Sequence, residues 1–375
     1  MSTELPTLAR NVAVEVLVHG PQSRAQLGKK LGLSPATMTR IVKPLVEAGV
    51  LVEEAAVRLS GRGRSSLPLD VVPDDYRFVG VKLTTESIYA VVTDLRAQIL
   101  DGEVVAVPSF DVPDVVAAVL ALVGRLRARA SRPVNAVGVT VGGSVDKGET
   151  VADSPFLHWH EVPFRGLLAR DIDVPVYLAN DVVGLTKAQQ WFGHGRTWAD
   201  FALLTVGAGV GYGLVINDEV VPTLVTPVSH FPIDPHGPLC AAGHRGCLTA
   251  YVTSAAMTAA VAQGSGHEVT YDELLQQAEA GDPLAVRVVD EAAYALGRAT
   301  AAVTCLTGVD RIILSGEGVR LAKLGQEAMR AGRTAYVAAC GLDPVIRPMD
   351  FTEWARGAAV IAVQQEFPRA SSTVP

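Results

Sequence analysis

Residues 77–94 read Arg-Phe-Val-Gly-Val-Lys-Leu-Thr-Thr-Glu-Ser-Ile-Tyr-Ala-Val-Val-Thr-Asp, and residues 200–217 read Asp-Phe-Ala-Leu-Leu-Thr-Val-Gly-Ala-Gly-Val-Gly-Tyr-Gly-Leu-Val-Ile-Asn. Each is an apolar strand, a turn of small residues and a second apolar strand ending in Asp or Asn. Two hairpins of one grammar in one chain imply duplicated lobes. Between them, a helix at 115–129, a strand at 135–141 running into Gly142-Gly143 and a strand at 174–179 alternate around a sheet. Beyond the second hairpin, an apolar helix at 284–306 and a strand at 311–314 lead into Ser315-Gly316-Glu317-Gly318. The expected fold class is α/β, with a lobe boundary near 180–200 and a ligand cleft between the lobes. Gly207, Gly209, Gly211 and Gly213 let the backbone approach an anion, as phosphate-cradling loops do, although an ordinary tight turn needs no ligand.

Ahead of this body, residues 1–75 carry different signals. An apolar run from Leu8 to Val18 stops at Gly20-Pro21. Ser23 caps a short helix at 24–31, Gly32 turns the chain, and Ser34-Pro35 opens a third helix with a cap and a proline at its first position. There Met38, Ile41, Val42, Leu45 and Val46 form the buried stripe, leaving Thr37, Arg40 and Lys43 outward. Pro44 removes a backbone hydrogen bond and is expected to bend this helix. A strand at 50–53, a basic tip Gly61-Arg62-Gly63-Arg64 and a returning strand at 67–72 complete a winged helix-turn-helix. Thr37 is placed for base reading, Arg40 and Lys43 for phosphates, and Arg62 and Arg64 for the minor groove.

Composition agrees with this division. The 375 residues carry a formal net charge of −7, yet residues 1–70 hold +3 and the rest −10. A small basic module on a large acidic body suits a polyanion partner, here double-stranded DNA. With 49% hydrophobic and 19% charged residues the chain is globular, and four cysteines are too few for a disulfide framework. No basic-then-apolar leader opens the chain, and its longest apolar stretches fall short of a membrane span, so a cytoplasmic location is expected.

The body resembles the ROK family, which comprises sugar-responsive repressors and bacterial sugar kinases of the bilobed, actin-like ATPase fold. The residues that carry the resemblance are Gly138-Val-Thr-Val-Gly-Gly-Ser-Val-Asp146, Ser154-Pro155 followed by Trp159, Asn180-Asp181, the glycine hairpin, and His230 followed by Cys240 and Gly246-Cys247. Kinases of the family lack the head, so its presence points to the regulator branch, with residues 76–375 as effector and oligomerisation domain. The resemblance implies a homodimer or tetramer on operator DNA. It also implies that Gly142, Gly143, Asn180, Asp181 and His230 contact a sugar or related effector, and that Asp181 takes the place of the kinases' catalytic base.

Departures from the family pattern argue against catalysis. The first hairpin of family kinases carries an acid and glycines where this chain has Lys82, Thr84 and Thr85, so a cation and two side chains stand where metal-nucleotide would sit. No ATP is expected, and no residue is assigned a catalytic role. Lys82 is expected to pair with Asp181, to hold an anionic effector together with the Gly207 and Gly209 amides, or to reach solvent. Two family glutamates are replaced by Pro227 and Thr249, which weakens hexose recognition. The family's zinc set keeps His230, Cys240 and Cys247 but has Ala242 for its middle cysteine, leaving His244, Asp234 or His236 as a fourth ligand, or two reduced thiols without metal. A DNA-binding repressor that senses a metabolite is the leading expectation. An ATP-dependent sugar kinase with an added head and a ligand-independent architectural regulator are the alternatives.

Overall fold

In a computed structural model of the chain, residues 7–53, 67–222, 227–335 and 342–368 are described. Backbone contacts divide the chain into two units, Met1–Arg196 with Trp354–Pro375, and Thr197–Glu353.

The first unit opens with α1 (Thr7–His19), α2 (Arg24–Leu31) and α3 (Pro35–Glu47). The capping signals act as expected. Ser23 and Gln26 form a reciprocal capping box on α2, Gly32 closes it at φ 66°, and Ser34 Oγ accepts the Thr37 amide at 3.2 Å. Helix α3 continues through the exposed Pro44 to Glu47, with Met38, Val42 and Leu45 buried and Ile41 and Val46 partly so. The wing strands are shorter than expected: β1 (Val52–Glu53) pairs antiparallel with β2 (Leu69–Asp70). The basic tip, with Arg62 and Arg64, lies outside the described residues.

Helix α1 buries Val12, Val14, Val16, Leu17 and Val18, which point to several sides of the helix. A helix apolar all round lies between layers, and α1 does so. Head residues Val12, Leu27, Val42 and Leu51 share one core with Phe78, Leu95, Trp191, Val363 and Phe367. The head is thus packed onto the body that follows it.

That body comprises β3 (Phe78–Leu83), β4 (Ser87–Thr93), β5 (Ile99–Ala106), α4 (Val112–Arg129), β6 (Ala136–Val141), β7 (Ser144–Asp146), β8 (Thr150–Ser154), β9 (Trp159–Val162), α5 (Phe164–Leu168), β10 (Val176–Asn180) and α6 (Asp181–Phe192). Strands β7, β8 and β9 form a small sheet of their own, and the main sheet has the order β5-β4-β3-β6-β10.

The second unit has β11 (Phe201–Val206), β12 (Val210–Ile216), β13 (Glu219–Val220), α7 (Thr249–Val252), α8 (Ser254–Ser265), α9 (Tyr271–Glu279), α10 (Pro283–Thr307), β14 (Ile312–Gly316), α11 (Arg320–Leu324), α12 (Gln326–Thr334) and β15 (Val345–Pro348). Its sheet order is β13-β12-β11-β14-β15. In both sheets an antiparallel hairpin is extended by two parallel strands, so the echo of the two hairpins is a duplication of topology.

Helix α13 (Phe351–Glu366) crosses the first sheet at two glycines. A Cβ on Gly80 would lie 2.0 Å from the Ala355 carbonyl oxygen, and one on Gly138 1.8 Å from that of Ala358. Glycine at these two positions lets helix backbone rest directly on strand backbone. Among the described residues, no helix is long and apolar enough to cross a membrane.

Candidate functional site

On the head, Arg40 and Lys43 are exposed along α3, and Thr37 stands half-buried at its start, its hydroxyl 2.9 Å from that of Ser34. Thr39 and Ala36 are exposed on the same helix, two positions the hydrophobic pattern did not single out. Lys43 lies 3.8 Å from Glu47, a loose surface pair that holds it weakly.

In the first unit, β6 runs into Gly142-Gly143 while β10 runs into α6, and the parallel pairing of these strands brings Gly142, Gly143, Asn180 and Asp181 together. Asn180 is the N-cap of α6: its Oδ1 accepts the amides of Val182 and Val183 at 2.9 and 3.2 Å, and its Nδ2 donates to the Gly143 carbonyl at 2.8 Å. Ser154 Oγ donates to the Gly142 carbonyl at 2.6 Å. Gly143 has φ 128°, and a Cβ there would strike the Asp153 carbonyl, so this loop admits no side chain. Asp181, the first residue of α6, accepts the Val182 amide at 2.8 Å through Oδ1, and the helix dipole favours its charge.

Lys82 donates from Nζ to Asp181 Oδ2. Lys82 is buried and Asp181 largely so, at 7% and 13% exposure, and this is the paired outcome among the three expected for Lys82. The ammonium also stands 5.3 Å from the centre of the Trp354 ring, whose Nε1 is buried without a hydrogen-bond partner among the described residues. The ring of Phe156 is 41% exposed and lies over Gly142. Each Asp181 oxygen thus carries a partner from the chain itself, Oδ2 the Lys82 ammonium and Oδ1 the Val182 amide.

The glycine hairpin of the second unit is occupied from within. Glu317 reaches back from the turn after β14, and its Oε1 accepts the Ala208 amide at 2.8 Å. A Cβ on Gly207 would come within 1.9 Å of that oxygen, so the glycine admits a carboxylate of the chain's own. Of the residues expected to form an anion site, Lys82 pairs with Asp181, while Glu317 lies against Gly207 and takes the Ala208 amide. The signal for it was an acid standing between two glycines.

His230 falls in this second unit, with Cys240, His244 and Cys247. One ligand atom from each lies within 4.8 Å of all the others, and Cys240 Sγ is 3.6 Å from His230 Nδ1. Both cysteines are buried and both histidines exposed. The turn that gathers them is held by the Cys240 amide on the His244 carbonyl at 2.8 Å and the Gly243 amide on the Cys240 carbonyl at 2.9 Å. Asp234, by contrast, accepts the His236 amide at 2.9 Å and stands outside the cluster. Two sulfurs and two imidazoles at this spacing fit a closed tetrahedral zinc set. Cys305 is exposed, and Cys340 lies outside the described residues.

Comparison with known proteins agrees with both parts of the chain. A ROK family model matches residues 78–364, and a winged helix-turn-helix DNA-binding model matches residues 15–52. The chain belongs to the ROK family. It is 25% identical over 313 residues to the DNA-binding transcriptional repressor Mlc of Escherichia coli, covering 79% of this chain and 77% of that one. A crystal structure of a ROK family transcriptional regulator, a homolog of the E. coli MLC protein, superposes with TM-score 0.78 at 23% identity over 96% of each chain. A ROK family glucokinase from Streptomyces griseus, in complex with glucose and AMPPNP, superposes with TM-score 0.65 at 23% identity over 76% of this chain and 98% of its own. The fold is thus a winged helix-turn-helix followed by the actin-like kinase fold.

Proposed function

We propose that this chain is a transcriptional repressor that binds operator DNA through its winged head and whose kinase-like body senses a sugar or related polar metabolite without phosphorylating it. One observation carries the reading: the carboxylate in the catalytic-base position, Asp181, is engaged by the buried Lys82 ammonium. Both oxygens of that carboxylate are engaged by the chain itself, Oδ2 by the Lys82 ammonium and Oδ1 by the Val182 amide, and a cation stands where the metal-side acid would be. The two domains divide the work, residues 1–75 reading DNA and residues 76–375 sensing and assembling. Thr37 reads bases; Arg40, Lys43, Arg62 and Arg64 meet phosphate and minor groove. Gly142, Gly143, Asn180 and Asp181 meet the ligand. Two heads are needed for a specific site, so the working form is a dimer or a dimer of dimers in the cytoplasm. Zinc, held by His230, Cys240, His244 and Cys247, braces the loop that carries them and takes no part in a reaction.

Sequencing the genomic DNA that the purified chain retains tests the central claim, with metal content measured on the same sample. A defined palindromic site and about one zinc per chain are expected. Asp181-dependent consumption of ATP with any hexose would overturn the repressor reading, and a chain without zinc whose cysteines all titrate as free thiols would overturn the metal assignment.

A further inference from the structure

The turn 94–98, between β4 and β5, touches the head on one side and the body helices on the other. Leu95 is buried in the core that includes Val12 and Leu17 of α1. Ala97, at φ 58°, packs with Ala188 of α6 and Val360 of α13. Between them Arg96 sends its guanidinium to the head. It donates to both carboxylate oxygens of the buried Asp70, at the end of β2, and reaches the carbonyls of Leu17 and Val16 at 3.5 and 3.4 Å. Those carbonyls belong to the last turn of α1; the Val16 carbonyl already accepts the Gly20 amide at 2.9 Å, and the helix end favours a cation beside it. One side chain therefore holds the end of α1 and the base of the wing to a turn that also abuts α6. Helix α6 begins at Asp181, and its last turn places Trp191 in the head's core. At roughly 1.5 Å per residue it is a short rigid rod from the Lys82–Asp181 pair to the head.

We propose that Arg96 is a positioning residue through which the state of the Lys82–Asp181 pair sets the DNA affinity of the head; this rests on the ligand-sensing role proposed above. A hydroxyl that draws on the Asp181 carboxylate shifts the first turn of α6, and close-packed Ala97 and Trp191 pass that shift to the turn and the head rather than absorbing it.

The pair can be switched by substitution, which removes the need for an identified effector. DNA affinity is measured on an operator recovered by genomic selection, using the full chain, Asp181→Asn, Arg96→Lys, Arg96→Gln and the doubles. Asp181→Asn is expected to change operator affinity between about 5- and 100-fold in the unaltered background, and by a factor at least about threefold smaller once Arg96 is replaced, as a double-mutant cycle reads coupling. Equal fold-changes in both backgrounds, or no change on Asp181→Asn alone, overturn the proposal. Hydrogen exchange at the last turn of α1 supplies a readout without DNA: it should respond to Asp181→Asn only while Arg96 is present. A merely structural Arg96 would lower the melting temperature and leave this response intact. Failure of the unaltered chain to select any operator would instead defeat the repressor reading, and the exchange measurement would still decide the coupling.

Discussion

In the hairpin β3–β4, Lys82 near the end of β3 is neutralised by a carboxylate from α6; in β11–β12 the turn carries no charge, and the carboxylate of Glu317 comes to its amide instead. The turns differ in the same way. Thr84 uses its own hydroxyl to accept the amides of Glu86 and Ser87 at 3.3 and 3.0 Å and to donate to the Ser87 carbonyl at 2.9 Å. The second turn keeps its glycines, and Gly207 donates to the Gly209 carbonyl at 3.1 Å. A phosphate cradle needs backbone amides left free to point at the anion. The first hairpin closed its amides by replacing glycines with threonine, while the second closed Ala208 by lending it a side chain. One route is built into the turn, and the other is reversible by a single rotation.

The largest effect should separate glycines that face backbone from glycines that face a movable side chain. Gly138→Ala sets a methyl against the Ala358 carbonyl and should destabilise the first unit by about 3 kcal/mol or more, as overpacking against immovable atoms does. The nearest atoms to a Cβ at Gly207→Ala are those at the end of the Glu317 side chain, which can swing away, and the change should cost about 1 kcal/mol or less. Denaturant melts of the two variants give the comparison. Equal losses would mean that Glu317 is as fixed as the helix backbone.

Next come the charges themselves. Lys82→Met leaves Asp181 buried without its cation and should cost about 3 kcal/mol, much of which Lys82→Met with Asp181→Leu should return, because burying neither charge removes both desolvation penalties. Glu317→Gln keeps an oxygen for the Ala208 amide on a half-exposed side chain and should lie within about 1 kcal/mol of the parent. Urea unfolding at neutral pH measures all three. A double variant no better than Lys82→Met would show that the pair does not act as a unit.

What was legible in the sequence follows the range of each interaction. Ser23, Gly32 and Ser34-Pro35 announce the head's turns because caps act within four residues, and both hairpins announce themselves by local alternation. The fusion of head to body was not legible. It depends on Trp191 and Phe367 joining Val12 and Leu27, and no local pattern pairs residues so distant in sequence. The small sheet β7–β9 escaped because its strands are short, and the wing strands came out shorter than the apolar runs around them. Of the candidate site, Lys82 facing Asp181 could be anticipated from two chain positions and a shared fold. His244 could not be chosen over Asp234 or His236, because the choice lies in how the turn through Gly243 folds. Glu317 between its glycines is an ambiguous signal, because an acid in such a turn reads equally as a solvated residue.

The smallest effect concerns the residues that end the two hairpins, Asp94 and Asn217. Asp94 is buried, and loss of water around its carboxylate raises its pKa above the usual aspartate value, only partly offset by the amides of Gln98 and Arg96. A carboxyl group with a folded pKa above its unfolded one binds protons more readily in the folded state. Its contribution is therefore fully present below the ordinary carboxylate range and is lost as pH rises through the raised value, so ionised Asp94 costs stability at neutral pH. Asp94→Asn gives this hairpin the end residue of the other. The amide oxygen still accepts from Arg96 and Gln98, which lie at 2.9 and 2.8 Å, but carries no charge to desolvate. The melting temperature at pH 7 should rise by about a degree or two, and the gain should vanish as pH falls through the carboxylate range. A variant that melts lower at pH 7 would mean that the charge strengthens those two hydrogen bonds by more than its burial costs, and that the Asp at the end of the first hairpin is not interchangeable with the Asn at the end of the second.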